Sequence, residues 1–147
     1  MNNRKFERVN GYEGPLPKRA TKGSAGYDIA VSETHKVQPH SICVFHTGIR
    51  VKMNSDDYVE VIARSSLPEK FDMVIPNAVG IIDSDYYGNP KNGGEIRVPL
   101  FNIGNKPVTM VAGTRVAQCI FNKYKTTNDD DATGERVGGF GSTGVKQ

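Results

Sequence analysis

The stretch Tyr58-Val59-Glu60-Val61-Ile62-Ala63 favours extended backbone. Its β-branched and aromatic side chains suit a pleated, half-buried surface. The same chemistry recurs on either side. Ser41-Ile42-Cys43-Val44-Phe45-His46 is β-rich, and Gly48 breaks it before Ile49-Arg50-Val51. Glu95-Ile96-Arg97-Val98-Pro99-Leu100-Phe101 partly alternates and puts Ile96, Val98 and Leu100 on one face. Pro99 cannot donate to a ladder, so this segment suits a sheet edge or a bulge. Further on, Val116, Gln118 and Ile120 share one strand face, and Ala117, Cys119 and Phe121 the other. Gly, Pro, Asn and Asp punctuate every gap. No 3.6-residue apolar pattern of useful length appears, and one short helical turn is expected after Ser66, around Pro68 to Phe71. These features predict an all-β sandwich or barrel.

A chain of 147 residues is one domain by length, and its 37% apolar content gives a lean core. A lean core at this size gains from oligomerisation. No apolar run approaches the ~18 residues of a membrane helix. Met1-Asn2-Asn3-Arg4-Lys5 leads into no apolar signal region, so a cytoplasmic protein without membrane association is expected. Cys43 and Cys119 lack metal-ligand or redox spacing and read as small buried hydrophobes. His35, His40 and His46 show no metal-ligand spacing either. The net charge of +3 is too mild for direct nucleic-acid binding and favours small anionic ligands.

Near the C-terminus stands Gly138-Gly139-Phe140-Gly141-Ser142-Thr143-Gly144. Glycines let successive N–H groups converge, hydroxyls add donors, and Phe140 adds a flat face for a base. A nucleotide lid and a frayed tail both fit this composition. A Walker-type loop does not, because Val145 stands where Lys is needed. The segment before it, from Thr126 to Glu135, is polar and carries Asp129-Asp130-Asp131, which reads better as a solvated linker than as a cation site.

Four other stretches carry polar chemistry. In Gly80-Ile81-Ile82-Asp83-Ser84-Asp85-Tyr86, two carboxylates at i and i+2 would share a face if the strand continued, and a fixed Asp can polarise a water. A turn ending a strand fits the same letters. Ser24-Ala25-Gly26-Tyr27-Asp28 sets an acid after a small-residue turn, suited to a hydrated Mg²⁺ or to a plain turn. Arg64-Ser65-Ser66 closes a strand with a guanidinium and two hydroxyls, as a phosphate grip or an ST-turn. Gly113-Thr114-Arg115-Val116-Ala117-Gln118 is a hairpin turn feeding a strand.

In combination, these blocks and the Gly-rich tail resemble, in order, the five motifs of the trimeric deoxyuridine triphosphatases (dUTPases). The blocks run from residue 25 to 144, and the overall look is similar to bacterial and bacteriophage members with an enlarged loop after the third motif. The resemblance implies a distorted jelly-roll β-barrel over residues 1–125, with a linker and flexible lid over 126–147. It implies a homotrimer with shared active sites. Motifs one, two and four would come from one subunit, the third from a neighbour, and the tail from the last. It also implies hydrolysis of dUTP to dUMP and pyrophosphate with Mg²⁺, which keeps uracil out of DNA and supplies dUMP for dTMP synthesis.

Residue roles follow from the same resemblance. Asp83 matches the acid that activates the attacking water. Asn77 matches the reader of the uracil edge, helped by backbone at Gly80, Ile81 and Ile82 and across the hairpin at Arg97. Tyr86 matches the aromatic packed on deoxyribose. Asp28 matches the acid that holds metal-bound waters. Arg64, Ser65, Ser66 and Gln118 match phosphate contacts. Phe140 matches the cover over uracil, and Gly141, Ser142 and Thr143 the γ-phosphate grip. Three departures stand out. Ala63 replaces a usual Pro. Glu135 stands where the family has Arg, with Arg136 one place nearer the glycines as the alternative γ-phosphate contact. The loop from Asn89 to Gly93 is enlarged. A dCTP deaminase of the same fold would need a catalytic Glu where Asp83 stands, and would lack this tail. A nucleotide-sensing regulator with a protein partner, as in phage-encoded relatives, would use the enlarged loop.

Overall fold

The computed structural model describes residues 2–9 and 11–139. Among these residues, eleven strands, one short α-helix and one 3-10 turn make an all-β architecture. The strands are β1 (Lys5–Arg8), β2 (Tyr27–Ala30), β3 (His35–Val37), β4 (Ile42–His46), β5 (Ile49–Lys52), β6 (Asp57–Ala63), β7 (Met73–Val74), β8 (Val79–Asp83), β9 (Arg97–Asn102), β10 (Val108–Met110) and β11 (Arg115–Lys123). The helix α1 spans Ser66–Phe71. All strand pairings are antiparallel. Among the described residues, no helix is long and apolar enough to cross a membrane.

The largest sheet has the order β2-β11-β6-β8. β6 alternates as its sequence predicts, with Asp57, Val59 and Val61 buried and Tyr58, Glu60 and Ile62 half-buried. β11 departs from strict alternation. Val116 and Ala117 are both buried, because a register shift between Arg115 and Ala117 inserts an irregularity against β2. A three-stranded sheet, β4-β9-β7, and the pairs β1-β5 and β3-β10 complete the fold. Their inward side chains join one core cluster, led by Phe45, Ile29, Ile49, Leu67, Ile96 and Leu100.

β9 is the middle strand of its sheet, yet it holds Pro99. β7 reaches only Asn102 and Phe101, so at Pro99 the strand has β4 on one side alone. A missing donor is tolerated at such a local edge. Pro68 sits in the first turn of α1, where its lack of N–H costs nothing. Asp72 ends that helix in the left-handed region and returns its N–H to the Pro68 carbonyl.

β8 ends at Asp83, and Ser84–Tyr86 follows as one 3-10 turn. Asp83 and Asp85 therefore do not share a strand face. Among the described residues, β8 pairs only with β6, and β9 only with β4 and β7. The two do not form the hairpin expected between Ile81 and Arg97; they belong to different sheets. The 88–94 segment is partly folded inward, with Asn89 and Gly94 buried.

Candidate active site

The predicted residues fall into two groups. The first lies on the large sheet. Register sets Asp28 on β2 directly beside Gln118 on β11. Arg64 follows β6 and is held there by its N–H on the Val116 carbonyl. The Arg64 Nε lies 3.1 Å from Asp28 Oδ1, and an Arg115 terminal nitrogen 3.5 Å from Oδ2. Gly26 lets Gln118 pack close, since a Cβ there would lie 2.9 Å from the Gln118 Cβ and would push its amide aside. Ser65 caps α1 with no side-chain cap bond, and Ser66 opens the helix directly after Arg64 and Ser65. One acid between two guanidiniums leaves this group net positive, which suits a polyphosphate. Arg115 had no role from sequence. Its place in the fourth motif was the only signal.

The second group surrounds β8. Asn77 is exposed, in a tight turn whose next residue, Ala78, has φ +61°. The Asn77 amide lies over Gly80, 4.0 Å from where a Cβ on that glycine would stand. Asn77, Gly80, Ile82 and Arg97 line a small cavity with Val61, Ile75, Val98 and Pro99. Arg97 thus faces Gly80 across a cavity rather than along a ladder. Ile81 points outward and is half exposed. Asp83 and Asp85, parted by the 3-10 turn, meet again on one guanidinium. Arg136 Nε donates to Asp85 at 2.7 Å and its terminal nitrogen to Asp83 at 2.5 Å. Hydrogen bonding to Asp85 raises the Arg136 pKa further.

The Tyr86 ring is buried, and its hydroxyl donates to the Glu95 carbonyl at 2.7 Å. Asn92 donates its amide to the same hydroxyl at 2.7 Å. Burial, only partly opposed by the Asn92 bond, pushes the phenol pKa upward. Asn89 donates to the Gly138 carbonyl at 2.6 Å. Sequence reasoning missed Asn89 and Asn92, since a Gly/Asn/Pro run looks like any turn. Phe140, Gly141, Ser142 and Thr143 lie outside the described residues.

The groups do not meet within one chain. Asp83 pairs with Tyr58 at one end of β6, while Arg64 follows its other end. Six residues of strand separate them, roughly 20 Å. The donor set for a divalent cation is small as well. No cluster of three possible metal-ligating side chains occurs among the described residues. Asp28 alone fits a Mg²⁺ that keeps its waters and takes its other ligands from phosphates.

The dUTPase family profile matches residues 12–144. The chain belongs to the dUTPase family. It is 39% identical over 150 residues to the deoxyuridine 5'-triphosphate nucleotidohydrolase of Lactococcus lactis, covering 99% of this chain and 100% of that one. The enzyme of the same name from Coxiella burnetii is 35% identical over 142 residues, covering 91% and 90%. Among solved structures, the dUTPase from Streptococcus mutans aligns with a TM-score of 0.82 at 36% identity, over 84% of this chain and 98% of that one. The all-β fold read from the sequence is that of its family.

Proposed function

We propose that this chain hydrolyses dUTP to dUMP and pyrophosphate, and that its active sites form between subunits of a homotrimer. Membership of the dUTPase family supports the reaction. The separation of Asp83 from Arg64 supports the sharing, because one chain cannot bring both to one phosphate.

The exposed Asn77 side chain, at the mouth of the small cavity it lines, would read the uracil edge, whose donors and acceptors an amide can match. Tyr86, fixed through its hydroxyl, would offer its ring to the deoxyribose and leave no room for a 2′-hydroxyl. The neighbouring subunit would supply Arg64, Ser65, Ser66 and Gln118 to the phosphates, with Asp28 holding the waters of Mg²⁺. The metal, when bound, neutralises phosphate charge. Asp83 takes a proton from water as the water oxygen bonds to the α-phosphorus. The bond from that phosphorus to the bridging oxygen breaks, and pyrophosphate leaves. Asp83 is half exposed at the end of β8, so it is open to solvent once Arg136 withdraws. A triphosphate is the natural competitor for that guanidinium, which gives Arg136 its γ-phosphate contact. Residues 1–125 act as the barrel in this reading and 126–147 as linker and lid, with Phe140 over the base and Gly141, Ser142 and Thr143 on the γ-phosphate.

Pyrophosphate release measured over all deoxynucleoside triphosphates, with and without Mg²⁺, tests the proposal. Release from dUTP alone, dependent on Mg²⁺, is expected. Ammonia release from dCTP, or equal rates on all substrates, would overturn it.

A further inference from the structure

Tyr86 is held at the far end of its ring. Its hydroxyl donates its one proton to the Glu95 carbonyl at 2.7 Å and accepts from the Asn92 amide at 2.7 Å. Neither partner can follow a moving ring. The Glu95 carboxylate is buried and takes the Gly48 N–H at 3.0 Å, with His46 Nδ1 2.9 Å away. The next residue, Ile96, is tied to the same junction of β4 and β5. Its N–H goes to the Ile49 carbonyl, and its carbonyl accepts from the Thr47 hydroxyl at 2.6 Å. The Glu95 carbonyl is therefore part of the barrel.

Asn92 is fixed by the loop it stands in. Its Oδ1 accepts the Gly94 N–H at 3.0 Å, and its carbonyl accepts the Glu95 N–H at 3.3 Å. With the oxygen used on Gly94, the amide nitrogen is left to face the phenol. The loop is shut at its base, where the Gly88 N–H meets the Gly93 carbonyl and the Asn89 N–H meets the Tyr86 carbonyl. Gly94 has φ +85°, and a Cβ there would lie 2.6 Å from the Tyr86 carbonyl oxygen. The loop thus presses on Tyr86 at its backbone and holds it at its hydroxyl.

Such a grip matters for the sugar. An apolar wall alone rejects an analogue with one added hydroxyl only about 100-fold, and less where the wall yields. Bonds at the ring's far end take away that yield. They also occupy the phenol proton, so a 2′-hydroxyl pressed there loses water and gains no donor from Tyr86 in return. We propose that Asn92 is a specificity-determining residue, and that the enlarged loop carries it to lock Tyr86 as a rigid wall against ribose. The inference rests on the reading of Tyr86 as the deoxyribose neighbour and assigns the loop a part in it.

The test compares kcat/KM for dUTP, UTP and dCTP in wild type, Asn92→Ala, Tyr86→Phe and the double variant, with melting temperatures beside them. Asn92→Ala should keep dUTP hydrolysis within a few fold and raise UTP relative to dUTP by roughly 10-fold. Its preference for dUTP over dCTP should stay, because the base is read at Asn77. Tyr86→Phe keeps the ring and the bond from Gly94 to Asn92, and should lower sugar selectivity at least as much. The double variant should match Tyr86→Phe, since without the hydroxyl Asn92 has no grip on the ring. Intact sugar selectivity in Asn92→Ala, or additive losses in the double variant, would overturn the proposal. So would an equal fall in sugar and base selectivity, which marks a general loosening of the loop. Should Asn92→Ala fail to fold, undiminished sugar selectivity in Tyr86→Phe overturns it instead. Wild type that hydrolyses no dUTP would remove the proposed reaction itself, a result distinct from any of these.

Discussion

The two halves of the site are built in opposite ways. Asp28, Arg64 and Gln118 stand on or next to the neighbouring strands β2, β11 and β6, whose backbone register brings them together. The half around β8 depends on a 3-10 turn, a loop and a tail, joined mostly by side-chain bonds from Arg136, Asn89 and Asn92. In the proposed reaction the first half acts as a preformed anion seat. The second must rearrange, because Asp83, the acid proposed to activate water, lies under the Arg136 guanidinium. Rigid donors suit charge that develops in place, whereas a gripped acid suits a step that waits for substrate.

Breaking the second half at its chemistry should have the largest effect. Asp83→Asn keeps the shape of the side chain and removes its ability to take a proton. We expect kcat to fall by about 10³-fold, within the range for a general base, with dUTP affinity changed by only a few fold. Stopped-flow binding beside steady-state hydrolysis separates the two effects. Normal turnover would remove Asp83 from the mechanism.

Breaking the first half should cost somewhat less. Arg64→Ala removes the proposed phosphate donor and one of the two guanidinium partners of Asp28. A loss of roughly 10²-fold in kcat/KM is expected, as for one preorganised donor. Hydrolysis kinetics over a range of Mg²⁺ concentrations add a second readout, since a freed Asp28 should shift the Mg²⁺ dependence. If only thermal stability changed, Arg64 would be a strut between strands and no more.

The same contrast governs what could be read from sequence. Strand-borne features were legible because strand chemistry has a period of two. Ile96, Val98 and Leu100 are fully buried on one face, and β6 alternates along its length. The motif residues of the first half were named through the family resemblance, and strand register sets two of them, Asp28 and Gln118, side by side. Failures gathered in the second half. Asp83 and Asp85 look like a strand pair until Ser84–Tyr86 turns, and that turn leaves no periodic trace. The loop's asparagines look like turn formers, since a bond from Asn89 to Gly138 spans 49 positions and depends on tertiary placement. β8 and β9 look like a hairpin because they neighbour each other in sequence, yet sheet partition separates them.

The mildest test concerns how the second half is moored to the barrel. Tyr87, directly after the 3-10 turn, donates its hydroxyl to Glu7 on β1 at 2.6 Å. Lys5 and Arg50 also hold that carboxylate, and the Arg50 guanidinium lies 4.8 Å from the Tyr87 ring centroid. Hydrogen bonds from Lys5 and then Tyr87 bring the Glu7 pKa down from 4.5 to about 2. A depressed carboxylate pKa stabilises the fold above its unfolded value, and that stability fades as pH falls through the folded one. Wild type should therefore lose its advantage over Glu7→Gln between pH 4.5 and about 2. The groups are partly exposed, so the difference in Tm at neutral pH should stay under about 3 °C. Melting curves of both proteins across that acid range provide the measurement. A gap that stays constant with pH would mean that Glu7 packs against Tyr87 without holding it by charge.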